Sequence, residues 1–135
     1  MSEKSFWVLI RTSLKLKMYR VENRVMKGMP DIHYVKNGKT GWIELKYLAN
    51  WPKTRVTIGL KKNQVFWLKE YNKNKGKCWV LVRIDRDYMG LYKGEDAEKL
   101  YSRPSKKDFV DMAHWHKKGN MKSEDWSDLV SVITS

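Results

Sequence analysis

Two short stretches hold the residues most able to do chemistry. Pro30-Asp31 opens one apolar run, and Glu44-Leu45-Lys46 lies inside the next, Trp42-Ile43-Glu44-Leu45-Lys46. Two carboxylates and an ammonium group are the set that metal-assisted phosphodiester hydrolysis requires. Mg²⁺ is a hard cation that takes oxygen ligands, keeps several waters, and is held by one or two carboxylates together with substrate phosphate. Asp31 and Glu44 supply the carboxylates, and the main-chain carbonyl of Leu45 a further oxygen. Mn²⁺ accepts the same oxygen-rich set. A cation so held acidifies a water and polarises the phosphate. Lys46 then positions the water or offsets charge developing on the phosphate. Each motif alone is weak, since Glu-x-Lys is common on solvated strands and Pro-Asp often marks a turn. Their conjunction carries the reading.

That conjunction needs the two stretches to lie side by side. Asp31–Val35 and Trp42–Lys46 read as strands, and Asn37-Gly38 between them is a strong hairpin turn signal. Side chains alternate along a strand, so Glu44 and Lys46 share one face while Ile43 and Leu45 take the other. The hairpin can then set Asp31 beside Glu44.

The remaining elements follow from periodicity. Trp7, Ile10, Leu14 and Met18 recur at helical spacing, so a first amphipathic helix is expected from near Ser5 to Lys17. Strand period follows through Tyr19, Val21, Asn23 and Val25, broken at Lys27-Gly28-Met29-Pro30. A helix is expected from about Leu60 to Asn74, with a left-handed cap at Gly76. Cys78–Ile84 is a near-continuous apolar strand, hence buried on both faces, and a short strand follows around Met89–Tyr92. The tail reads as helical pieces, Asp96–Tyr101, Lys107–Lys117 and Glu124–Ile133. The order α-β-β-β-α-β implies an α/β sandwich with a mixed sheet, residues 1–93 forming the core and 94–135 a helical extension of the same domain.

Composition narrows the function. The 135 residues carry 28 Lys and Arg against 15 Asp and Glu, a net charge of +13. Such an excess on a small domain attracts polyanions, and phosphate backbones are the commonest. Membrane binding would call for a basic amphipathic helix or lipid anchor, and neither stands out. No apolar run approaches the ~20 residues of a membrane span, and Met1–Phe6 is unlike a signal peptide. The expected location is therefore cytoplasmic, the host cytoplasm if the source is viral. Cys78, the sole cysteine, reads as a buried structural thiol.

Gly28-Met29-Pro30-Asp31 followed by Ile43-Glu44-Leu45-Lys46 resembles the PD-(D/E)xK nuclease superfamily. The pattern is closest to its small virus-type members and to the VRR-NUC and Holliday-junction-resolvase-like groups, and the resemblance covers about Phe6 to Ile84. It implies a restriction-endonuclease-like αβββαβ core and Mg²⁺-dependent hydrolysis of DNA, with Asp31 and Glu44 as metal ligands and Lys46 as the catalytic lysine. Members of this group often carry a Glu upstream of Pro-Asp, and Glu22 fits that pattern. In resolvase-like members this acid lies on the first helix, whereas Ser5–Lys17 contains none. Gln64 resembles a recurrent site-facing glutamine. Lys61 and Lys62 beside it, with Arg20, Arg24 and Lys27, are the expected nucleic-acid contacts.

A structure-specific DNA endonuclease that cuts junctions or branches is thus the leading expectation. A less selective viral DNA nuclease and a catalytically inert nucleic-acid-binding module on the same fold are the alternatives. Cutting two strands symmetrically needs two centres related by a two-fold axis, so a homodimer is expected. His33 shares the face of Asp31 and reads as filler. His114 and His116 read as pointing apart on a helix, which rules them out as a metal pair.

Overall fold

The computed structural model describes residues 2–22 and 26–135. Its elements run α1 (Glu3–Ser13), β1 (Lys17–Arg20), β2 (Ile32–Lys36), β3 (Lys39–Leu48), α2 (Lys62–Lys73), β4 (Cys78–Ile84) and β5 (Tyr88–Lys93). A 3₁₀ turn (Gly94–Asp96) leads into α3 (Ala97–Tyr101), α4 (Lys106–Asp111), β6 (Trp115–Lys118) and α5 (Ser123–Ile133). The six strands form one sheet in chain order. Every neighbouring pair is antiparallel except β3 and β4, which run parallel because α2 carries the chain back between them. The expected αβββαβ order and mixed sheet are present.

Alternation along β4 divides the interior into two layers. Trp79 and Leu81 face a core built with Phe6 and Ile10 of α1 and Leu129 and Ile133 of α5. Val80, Val82 and Ile84 face the other core, with Val65 and Leu68 of α2, Leu100 of α3 and Phe109 of α4. A strand covered by helices on both sides has no solvated face, which is why its sequence is apolar throughout.

The hairpin forms as its turn residues dictate. Asn37 and Gly38 both take positive φ, 49° and 81°, the signature of a type I′ turn whose twist matches the flanking strands. The resulting register pairs Lys36 with Lys39 and Ile32 with Ile43.

Four expectations are corrected. The first helix starts at Glu3, because the Ser2 hydroxyl caps it by accepting from the Ser5 amide at 3.2 Å. It therefore does contain an acid, in its first turn. The strand after it ends at Arg20; Asn23, Arg24 and Val25 lie outside the described residues. The left-handed residue after α2 is Lys75, at φ 70°. Gly76 is needed instead because a Cβ there would run into the Tyr71 ring. Finally, Lys107–Lys117 is not one helix: α4 stops at Asp111, and Trp115–Lys118 pairs with β5, His114 N–H donating to the Leu91 carbonyl at 2.8 Å. The open edge of β5 offers ladder hydrogen bonds that outweigh a local helical pattern. The tail thus supplies the sixth strand as well as helices, and its α5 shares a core with α1.

Candidate metal centre

The site grows from β3. Ile43 and Leu45 enter the α1–α5 core, so alternation turns Glu44 and Lys46 to the face covered by α2. They are 2% and 8% exposed, unusual burial for charged side chains. The register that pairs Ile32 with Ile43 brings the next residue of each segment together, and those residues are Asp31 and Glu44. Gly28 helps to place Asp31. It sits at φ 90°, and a Cβ there would collide with the Asn63 carbonyl, so only glycine lets this loop lie against the start of α2.

The third acid comes from α1. Carboxylate oxygens of Glu3, Asp31 and Glu44 all lie within 4.8 Å of one another. Glu3 had not been expected. The signal was the Ser2-Glu3 pair itself, since Ser followed by an acid is a helix start, and an acid in a first turn is favoured by the helix dipole. Glu22, the acid expected in that role, is exposed beyond β1 and is not one of the three.

Lys46 and Gln64 hold Glu44 in place. The Lys46 ammonium lies 3.4 Å from Glu44 Oε2 and donates to the Gly59 carbonyl at 3.2 Å. Gln64 Nε2 donates to the same Oε2 at 3.1 Å, while Gln64 Oε1 accepts the Lys61 amide at 2.9 Å. One end of the amide caps α2, and this turns its NH₂ toward the acid. The second oxygen, Glu44 Oε1, is buried and has no hydrogen-bond partner among the described residues.

Electrostatics make the arrangement incomplete as it stands. Burial pushes the Glu44 carboxyl up to about 8; the negative charge of Asp31 and, more weakly, Glu3 adds to this, against the pull of Lys46. Asp31 is also raised, again chiefly by burial, with Arg20 and Lys46 opposing. Three acids converge on one another with one ammonium, Lys46, in contact with Glu44 and the Arg20 charge acting on Asp31, and one buried oxygen has no partner among the described residues. A hard divalent cation fits that donor set, because it takes carboxylate oxygens and removes the repulsion between them.

The other expected residues are not part of the acid cluster. Arg20 ends β1, where its charge acts on Asp31 and its guanidinium lies 5.9 Å over the Trp7 ring. Lys61 and Lys62 are exposed at the start of α2, and Lys27 is exposed in the turn before Gly28. The Leu45 side chain is buried in the α1–α5 core, so only its main chain is available for the role expected of it. The His33 ring lies tilted against Trp42 at 4.8 Å, and Trp42 meets Trp67 edge-on at 5.8 Å. His114 packs on Trp79 and His116 on Tyr88, rings that belong to the two different cores.

No protein-family model and no curated protein matches the chain. Among solved structures it is similar to Hjc, a Holliday junction resolvase from the archaeal hyperthermophile Archaeoglobus fulgidus. The TM-score is 0.45 at 15% identity, over 67% of this chain and 74% of that one. At that identity and score the similarity bears on neither substrate nor mechanism, which rest on the side chains just described.

Proposed function

We propose that the chain is a divalent-metal-dependent endonuclease that hydrolyses DNA phosphodiester bonds. The observation that carries this reading is the convergence of Glu3, Asp31 and Glu44, with an unpartnered buried oxygen on Glu44 and Lys46 beside it. Glu3, Asp31 and Glu44 would hold the cation, Mg²⁺ with Mn²⁺ as a substitute, and the Leu45 carbonyl is a further candidate donor. When bound, the cation supplies Lewis-acid chemistry: it acidifies a water and polarises the phosphate.

The chain's own groups do the rest. Lys46, fixed between Glu44 and the Gly59 carbonyl, offsets charge that builds on the phosphate as water oxygen bonds to phosphorus and the P–O ester bond breaks. Gln64 keeps Glu44 from rotating away. The net charge of +13 draws in the polyanion, with Arg20 acting on Asp31, Lys27, Lys61 and Lys62 exposed, and Arg24 the further candidate contact. Junction- or branch-cutting is the preferred specificity, with less selective cutting the alternative. One such acid cluster among the described residues fits a homodimer for symmetric two-strand cutting.

The test is a panel of labelled four-way junction, flap, single strand, duplex and supercoiled DNA, each with Mg²⁺, Mn²⁺ or EDTA. Metal-dependent cutting that Glu44→Gln and Lys46→Ala remove is the expected result. Tight, salt-sensitive binding with no cutting of any substrate would replace the nuclease by an inert binding module.

A further inference from the structure

The loop that anchors Lys46 has a second side. Gly59, whose carbonyl accepts from Lys46, also lines a pocket of about 300 Å³. Its apolar lining is Ile58, Leu60 and Leu100, all buried, and Thr57, Tyr101 at the end of α3 and Arg103 just past it complete the wall. Tyr101 is 41% exposed, a large aromatic residue left partly in water. The two walls are tied together. Arg55 Nη1 donates to the Arg103 carbonyl at 3.0 Å, and the Val56 amide to the Pro104 carbonyl at 2.8 Å.

The mouth is cationic. Arg103 lines both this pocket and its continuation, where Arg55 and Ser102 join it, and none of the residues lining either is acidic. Arg103 also has a costly backbone. It takes φ 62° just past the end of α3, a left-handed position where glycine is the preferred residue. A glycine there would therefore remove the guanidinium without straining the backbone. Beyond Arg55 the surface turns mixed, with Asp108 and Asp111 facing Lys99. The uniformly basic stretch is therefore short.

We propose that this pocket takes one unpaired nucleotide of the DNA strand, its base on Tyr101 and the apolar lining and its phosphates on Arg103 and Arg55. The inference rests on the nuclease reading and narrows its substrate to DNA with unstacked nucleotides beside the scissile bond. A base inside a duplex is covered on both faces by its neighbours and cannot enter; a base at a branch point or in a single strand can. Aromatic stacking with flanking arginines is the chemistry that recognises it. The pocket lies across one backbone from Lys46, so a nucleotide seated there holds an adjacent phosphate near the acid cluster. It also gives the C-terminal segment a task, since Leu100, Tyr101 and Arg103 all come from it.

The test uses the full chain in EDTA, so that binding is read without cleavage. Single strands carrying 5-iododeoxyuridine are photo-crosslinked and the adduct mapped, and affinities for a labelled single strand and the matching duplex are compared. The expected adduct is on Tyr101. Tyr101→Ala should lower the ratio of single-strand to duplex affinity about tenfold, and Tyr101→Phe should restore it to within about twofold. Arg103→Gly removes the guanidinium at a position that welcomes glycine, so it should fold normally and still lower single-strand affinity severalfold. An adduct confined to other aromatics, or a ratio unchanged by Tyr101→Ala, overturns the proposal. Metal-dependent cutting and its loss in Glu44→Gln are scored separately. A nuclease whose ratio ignores Tyr101 loses only the pocket, whereas Tyr101 adducts on a chain that never cuts lose only the nuclease.

Discussion

Glu44 and Asp125 are both buried carboxylates, and they are in opposite conditions. Asp125, at the start of α5, accepts the Lys122 amide at 2.8 Å and pairs with Lys117 at 3.3 Å. Those partners, the Lys122 amide first, hold its carboxyl below the usual range. Glu44, on β3, shares the charge of Lys46 with Asp31, has one oxygen with no partner among the described residues, and is pushed up to about 8 by burial. One acid has what an ionised group needs; the other has partners on one oxygen only, in a site where burial and a neighbouring acid outweigh its lysine. Residue type does not separate them. What separates them is depth of burial, the first cause of the Glu44 shift, together with the donors the fold supplies, and an acid buried deeply without enough of them leaves a place for a cation.

Breaking the incomplete site should have the largest effect. Glu44→Gln should lower cleavage by about a thousandfold or more, and Lys46→Ala by about a hundredfold, on the scale of losing a group aimed at developing charge. Both are read from single-turnover rates. Asp125→Asn, by contrast, should lower the melting temperature and leave the cleavage rate alone. Equal loss of cutting in Asp125→Asn would mean that the two acids do not differ in kind.

The next effect separates two acids that the sequence confuses. Glu3→Gln should reduce cleavage by about ten- to a hundredfold, with a matching rise in the Mg²⁺ concentration needed. Glu22→Gln should match wild type, since Glu22 is exposed and outside the cluster. The reverse result would move the third ligand to the other side of β1.

Much of this was legible in the chain. Asn37-Gly38 sets the hairpin register, the register sets Asp31 against Glu44, and strand alternation turns Glu44 and Lys46 to one face. These are local rules, and they reach the heart of the site. For Glu3 only the helix start was legible, in Ser2-Glu3; its place in the site was not, because only tertiary packing brings the first turn of α1 to Asp31 and Glu44. Trp115–Lys118 failed for a similar reason: its strand exists only because β5 has a free edge to pair with. The pocket at Tyr101 and Arg103 joins segments some 40 residues apart, beyond any periodicity.

Smaller effects come from pH, and the two acids should respond with opposite sign. Glu44 ordinarily titrates near 4.5 and stands at about 8 in the folded, metal-free chain. Folded protein then keeps a proton that unfolded chain releases, so this stabilisation is complete below about 4.5 and is lost as pH rises to 8. Asp125 lies below its usual 3.8, so its contribution is present above that value and is lost as pH falls below it. Melting temperatures of wild type, Glu44→Gln and Asp125→Asn across pH should show the wild type losing ground to Glu44→Gln between about pH 5 and 8. Asp125→Asn should converge with wild type only in acid. Saturating divalent cation should recover the high-pH loss in wild type by a few degrees and do nothing for Glu44→Gln.

The central claim is that Glu3, Asp31 and Glu44 form a divalent-cation site, and calorimetric titration with Mn²⁺ at pH 7 tests it most directly. Wild type should bind one ion per chain and release a proton from Glu44, so that the heat changes with the ionisation enthalpy of the buffer. Glu44→Gln should show neither the heat nor the proton. Wild type that binds no Mn²⁺, or binds it equally well without Glu44, would contradict the site.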